Sequence, residues 1–309
     1  MPDTKEKWIE ITILTPPELT DALSNFLEEM GTGGVFQEAA ADDFFDSYPG
    51  PAQETIKAYL PWSRTARQQT ERVAAYIDSL ASLFPKLEKP RLSAKNIVDP
   101  GWSEQWKKYF KPLRISDNIV IKPTWERYSP TGSDIVVDID PGMAFGTGQH
   151  PSTRMCIVAI EEILLRDGSR EERTVLDVGT GTGVLAICAA KLGARAVTGI
   201  DIDPKAVEIA GRNIVINGVE DRVEILNRDV ALCGGGFDLI VANLISGVFI
   251  QLHEHLISLL NPGGHLIASG ITEHEAKGVE KVFCNGDVTL HGTQAEKEWV
   301  CYIFRKAGR

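Results

Sequence analysis

Thr174-Val-Leu-Asp-Val-Gly-Thr-Gly-Thr-Gly-Val184 is the stretch from which the fold can be read. An apolar strand ends around Asp177 and runs straight into three alternating glycines, Gly179, Gly181 and Gly183. The apolar run 184–190 then starts a helix. Strand, glycine turn and helix in that order open a Rossmann-type unit, because glycine lets the backbone turn sharply and a ligand approach it closely. Outward from this stretch the same alternation continues. The patterns predict strands at 196–201, 223–227, 239–243 and 265–270, with helices beginning near Thr153, Val184, Pro204, Gly247 and Glu273. Two further runs, 288–293 and 299–304, read as a hairpin-like tail. The sum is a doubly wound α/β sheet with an antiparallel ending.

Two details of the glycine stretch bear on its ligand. The spacing is G-x-G-x-G rather than G-x-G-x-x-G, and Asp177 lies just ahead of the first glycine. A dinucleotide loop must accept a pyrophosphate dianion at a helix N-terminus, where a carboxylate is out of place. S-adenosyl-L-methionine carries a sulfonium and an ammonium instead, and these suit Asp177. Asp201 closes the next strand, 22 residues past Gly179, where such folds place a ribose-binding acid. Asp203, followed by Pro204, reads better as a helix cap. Asp229 fits either an adenine contact or an ordinary loop acid. Asn243 ends the fourth strand, at the sheet edge where open α/β folds hold their chemistry. Its oxygen can accept from an amine and its NH2 can hold the donor. The residues after it, Leu244-Ile-Ser246, are not the Pro-Pro-aromatic run expected for a planar nitrogen, so an aliphatic amine is favoured.

Before this half comes a smaller pattern. Ile9, Ile11 and Ile13 alternate, and Leu19, Leu23, Phe26, Leu27 and Met30 follow at helical spacing, stopped by Gly31. Thr15 reads as the cap of that helix and Glu18 as its capping-box carboxylate. Strands near 34–37, 55–60 and 91–97 and a helix over 65–83 complete a β-α-β-β-α-β order, that of a small ferredoxin-like domain. We read residues 1–98 as this domain, 99–134 as a linker and 135–309 as the ligand-binding domain. The linker holds a helix bearing Trp102, Trp106, Tyr109 and Phe110, and a strand at 119–122. A strand at 135–139 leads to the loop 140–150.

The net charge of −11 disfavours binding to a nucleic-acid backbone and suits a basic protein partner. Residues 1–98 alone hold 10 basic and 15 acidic side chains, with Asp42, Asp43 and Asp46 close together. Five scattered cysteines without a C-x-x-C pair point to a reducing cytoplasm, and Cys156 and Cys188 to core positions. No apolar run approaches a membrane span, and the first ten residues lack a signal region. His253 and His255 form an H-x-H without a third ligand nearby, so no metal is expected.

The run Pro141-Gly-Met-Ala-Phe-Gly-Thr-Gly-Gln-His-Pro-Ser-Thr153 resembles the bacterial ribosomal protein L-eleven methyltransferase family (PrmA-like). So do Leu176-Asp-Val-Gly-Thr-Gly-Thr-Gly183, Gly199-Ile-Asp-Ile-Asp-Pro204 and Val241-Ala-Asn-Leu244. The likeness extends to Trp106-Lys-Lys-Tyr-Phe-Lys-Pro112, to Ile121-Lys-Pro-Thr-Trp125 and to Glu298-Trp-Val-Cys-Tyr-Ile-Phe-Arg-Lys306. The resemblance implies a class I methyltransferase (Rossmann-like) sheet and S-adenosyl-L-methionine as methyl donor. It also implies donor contacts from Thr153, Gly179, Asp201 and Asn243, joined in our reading by Asp177 and Gly181. Phe145 and its loop would fold over the donor, with Gly146 and Gly148 as hinges. The implied reaction is methylation of lysine or N-terminal amines of a large-subunit ribosomal protein, presented by the N-terminal domain. Asn243 would be the catalytic residue. A lysine methyltransferase acting on another protein, and more remotely an RNA methyltransferase, are the competing readings.

Overall fold

Residues 8–30, 35–39, 53–61, 66–97, 110–140, 148–166, 172–284 and 286–308 are described by the computed structural model. Contacts divide the chain into two units, Met1–Tyr109 and Phe110–Arg309. Gly31, the Asp42–Asp46 acidic stretch, Trp102, Trp106, Tyr109, and Phe145 with Gly146 lie outside the described residues.

In the first unit the order is β1 (Trp8–Thr15), α1 (Pro17–Glu29), β2 (Val35–Ala39), β3 (Glu54–Pro61), α2 (Ala66–Leu83) and β4 (Arg91–Ile97). The strands form one antiparallel sheet in the order β2-β3-β1-β4, the ferredoxin-like arrangement the pattern predicts. Period-2 alternation turns Ile9, Ile11 and Ile13 to one face, where Leu19, Leu23 and Leu27 of α1 and Val73, Ile77 and Leu80 of α2 cover them. Thr15 does not cap α1. The helix begins at Pro17, and the buried Thr15 hydroxyl donates to the Pro16 carbonyl, which also accepts from Leu19 N–H. Two prolines shift the helix start, since Pro17 suits the first helical position and leaves Thr15 one residue too far back.

A three-stranded sheet begins the second unit: β5 (Leu113–Arg114), β6 (Ile119–Pro123) and β7 (Ile135–Ile139), in that order. β6 and β7 pair in parallel. Then α3 (Pro151–Arg166), β8 (Thr174–Val178), α4 (Val184–Lys191), β9 (Ala196–Asp201), α5 (Pro204–Asn217), β10 (Val223–Asn227), β11 (Phe237–Asn243), α6 (Ser246–Leu259), β12 (Leu260–Thr272), α7 (Glu273–Phe283), β13 (Val288–Glu296) and β14 (Trp299–Lys306) follow. Seven strands make one sheet in the order β10-β9-β8-β11-β12-β14-β13. The first five are parallel, and β14 inserts antiparallel between β12 and β13. Strand order therefore reverses beside β8, which opens a crevice at the carboxyl ends of β8 and β11.

Both faces at the centre of this sheet are covered, so β8, β11 and β14 are buried along most of their length and alternate between two cores, whereas the edge strand β13 is largely exposed. Val175, Leu239 and Val241 join one core with α3, α4 and the three-stranded sheet. Leu176, Ile240 and Ala242 join the other with Phe249 of α6 and Phe283 of α7. Every residue of α4 from Val184 to Ala190 is buried, as expected of a helix apolar on all sides. Cys156, Cys188 and Cys301 are buried as well. Among the described residues no helix is long and apolar enough to cross a membrane.

Candidate active site

The glycine turn emerges at the crevice. Gly179, Gly181 and Gly183 have φ of 72°, 53° and 83°, a left-handed backbone that side chains disfavour. Space is short too, since a Cβ on Gly179 would lie 2.8 Å from Leu244 Cδ2. The loop thus packs directly on the residue after Asn243. Gly179 and Thr180 N–H both donate to Ile200 O at 2.9 Å, which anchors the turn to the end of β9.

Asp201 holds the same turn from the side. Its Oδ2 accepts from Gly181 N–H at 3.0 Å and its Oδ1 from Asp203 N–H at 2.9 Å. A carboxylate has about four acceptor positions, so roughly two remain for a pair of vicinal hydroxyls. Asp203 caps α5 by accepting from Lys205 N–H, as its sequence position suggests. Asp229 caps a short 3-10 turn, its Oδ1 accepting from Ala231 N–H.

Asp177 occupies a different place from the one its sequence context suggests. It is fully buried, and its Oδ2 accepts from Thr180 Oγ1 at 2.7 Å and from Ala186 N–H at 3.2 Å. Enclosed in this way, it shapes the turn from beneath and does not present a carboxylate to a ligand's cation. Its Oδ1 is buried without a hydrogen-bond partner, and burial pushes the carboxyl up to about 7.

Across the crevice, Asn243 Nδ2 donates to Thr153 Oγ1 at 3.2 Å, joining the end of β11 to the first turn of α3. That bond uses the NH2 end of the carboxamide, so Oδ1 is the end available to accept from an amine. Two neighbours that the sequence does not single out hold this corner. Ser269 O accepts from Leu244 N–H at 2.9 Å, and the buried Ser269 Oγ donates to Ser152 O at 3.1 Å. Next to it Gly270, φ 82°, sits at a register shift in β12. A Cβ there would lie 2.7 Å from both Asn243 Oδ1 and Leu244 O. A lone glycine inside a strand pattern is the one local signal that could have pointed to it.

The loop 148–150 leads into α3. His150 Nδ1 lies 2.6 Å from Ser152 Oγ and accepts from Ser152 N–H, while its ring meets Trp299 edge-on at 4.7 Å. Burial lowers His150 to about 4, so the imidazole is neutral at physiological pH. Arg154 pairs with Glu296 and donates to Gln149 O, tying the start of α3 to β13. Gly148, φ 82°, faces Ile121. His253 and His255 each bond a backbone carbonyl, of Ile250 and Val230 respectively, rather than one another's ligand.

Thr153, Asn243, Gly179, Gly181 and Asp201 are therefore brought to one edge, linked through Leu244. The segment from Thr174 to Val184 contains no Lys or Arg, and Asp201 stands beside it. Asp201 beside the bare glycine backbone fits a nucleoside with free ribose hydroxyls.

Comparison with known proteins agrees. Residues 7–307 match the family described as "Ribosomal protein L11 methyltransferase (PrmA)". A ribosomal protein L11 methyltransferase of Geobacter sulfurreducens is 40% identical over 306 residues, covering 98% of this chain and 99% of that one. One from Pelobacter propionicus is 38% identical over 307 residues, with the same coverage. The crystal structure of a ribosomal protein L11 methylase from Lactobacillus delbrueckii subsp. bulgaricus superposes with a TM-score of 0.58 at 32% identity, covering 64% of this chain and 100% of that one. With the doubly wound sheet and the glycine turn at its crevice, these matches place the chain in the ribosomal protein L11 methyltransferase family.

Proposed function

We propose that the chain methylates amines of ribosomal protein L11, with Thr153, Gly179, Gly181, Asp201 and Asn243 holding donor and acceptor at the carboxyl edge of the sheet. The observation that carries this reading is the bond from Asn243 to Thr153, next to Leu244, whose side chain packs on the glycine turn. S-adenosyl-L-methionine supplies the methyl group from a sulfonium sulfur. The glycine turn receives it with bare backbone, and Asp201 offers its remaining acceptor positions to the ribose hydroxyls. Asn243 Oδ1 accepts from the incoming amine and directs the nitrogen lone pair.

The amine must be neutral to attack. A lysine with a pKa of about 10.4 loses its proton at a cost of roughly 4–5 kcal/mol at pH 7, an α-amine near 8 at about 1 kcal/mol. His150 is half-buried and neutral but already engaged by Ser152, so the proton goes to water and catalysis rests on positioning. Phe145, outside the described residues, belongs to this proposal as a cover over the donor. The N-terminal unit, residues 1–98 in our division, is the recognition domain for the basic protein. The acidic charge of the chain supports that partner.

Incubation of the chain with purified ribosomal protein L11 and methyl-labelled donor tests the reading. Label is expected on L11, in steps of one methyl by mass spectrometry. With whole-cell lysate in place of purified L11, label on another protein, or label lost to ribonuclease, would give the reaction to a different substrate. In the same assay Asn243→Ala is expected to cut turnover about a hundredfold while weakening donor binding far less.

A further inference from the structure

α5 carries two asparagines four residues apart, Asn213 and Asn217, and both bond the open edge of β7. Asn217 Oδ1 accepts from Asp138 N–H at 2.9 Å, and its Nδ2 donates to Asp138 O at 2.6 Å and to Asn213 O at 2.8 Å. Asn213 Oδ1 accepts from Asp140 N–H at 2.9 Å, and its Nδ2 donates to Asp140 O at 3.1 Å. Residues i and i+2 of a strand point their backbone groups the same way. The two carboxamides thus stand in for a neighbouring strand.

Asn213 does one thing more. Its second Nδ2 hydrogen goes to Thr182 O at 2.9 Å, inside the glycine turn. Thr182 lies between Gly181 and Gly183, both with positive φ, so Asn213 grips the middle of the turn. One turn of α5 earlier, Ala210 packs so closely that a Cβ on Gly183 would lie 3.2 Å from its Cβ. Asn213 is fully buried, and these three bonds use both its hydrogens and its oxygen. An amide at this depth without partners costs roughly 1–3 kcal/mol, so the site demands this geometry or none.

We propose that Asn213 is a positioning residue for the methyl donor, setting the glycine turn against the end of β7 through Thr182 O and both backbone groups of Asp140. The inference rests on the reading that the glycine turn holds the donor. Asn217 is the internal control, because it grips the same strand and does not touch the turn.

The test uses the full chain and S-adenosylhomocysteine as probe, titrated calorimetrically against Asn213→Ala, Asn213→Asp, Asn217→Ala and Asp201→Ala, with melting temperatures measured alongside. Asn213→Asp keeps the shape and the acceptance from Asp140 N–H and leaves at most one donation, from a protonated carboxyl, so it probes the same contacts without opening a cavity. Both Asn213 variants are expected to raise Kd about tenfold, the loss of roughly one hydrogen bond. In the methylation assay they raise the donor KM while kcat at saturating donor stays within about twofold of the parent. Asn217→Ala lowers the melting temperature and leaves Kd within about twofold. Unchanged affinity in the Asn213 variants, or equal weakening by Asn217→Ala, overturns the proposal. Asp201→Ala binding as tightly as the parent overturns the donor reading instead, whatever the Asn213 variants do.

Discussion

Asp201 and Asp177 are both acids at strand ends, 24 residues apart, and the structure gives them opposite tasks. Asp201 is partly exposed and keeps acceptor positions open, whereas Asp177 is walled in beneath the turn. Replacing Asp201 with alanine is expected to weaken S-adenosylhomocysteine binding by about ten- to a hundredfold, the worth of hydrogen bonds to a charged group. Asp177 has a stability signature. The folded state holds its proton up to about pH 7, while the unfolded carboxyl releases it near pH 3.9. Between those values the folded form binds more protons, so its contribution to stability is full below about pH 4 and is lost as the pH rises to about 7. Asp177→Asn is expected to flatten that part of the profile, measured by denaturant unfolding without donor at pH 5 and pH 8. An unchanged slope would contradict the buried, protonated state. The sequence shows an acid before a glycine and cannot show its depth, which is set by Thr180 folding back over it and by α4 above.

At the scale of elements, legibility follows locality. β8, α4, β9, α5 and β10 stand where their apolar runs and glycine breaks put them, because strand apolarity on both faces and an all-buried helix leave strong local patterns. β5 left no such trace, being two residues long and defined only by its pairing with β6. The asparagine ladder of α5 was equally silent, since its partners lie 73 and 79 residues away in sequence. Thr15 misled because a cap and a pre-cap residue look alike before two prolines. The bulge in β12 makes its own demand. Gly270→Ala would press on Asn243 Oδ1 and Leu244 O and hold an unfavourable φ, which alone costs roughly 1–2 kcal/mol. It is expected to lower turnover by moving Asn243, with a smaller effect on donor affinity. Loss confined to stability would separate the bulge from the chemistry. On the far face, Phe249→Ala in α6 removes a fully buried ring and is expected to cost about 3–5 kcal/mol in unfolding experiments.

Taken whole, the chain gives each unit apolar clusters of its own among the described residues. One apolar cluster runs from Ile9 to Leu80 and two others fill the layers around the seven-stranded sheet. Units with separate cores are expected to unfold separately. Residues 110–309 alone should fold, bind S-adenosylhomocysteine like the full chain and methylate L11 at least tenfold less well. Full activity without residues 1–109 would remove the N-terminal unit from substrate recognition. Within the larger unit, β14 comes after every other strand of its sheet in sequence, yet it starts beside Thr272 at the carboxyl edge, where Trp299 reaches His150. A ribosome making this chain therefore lays down the glycine turn, Asp201 and Asn243 well before the strand that backs His150 is available. Until β14 slots between β12 and β13, two edges of the growing sheet stand open, and a nascent chain stalled there would be a scaffold prone to sticking rather than an enzyme.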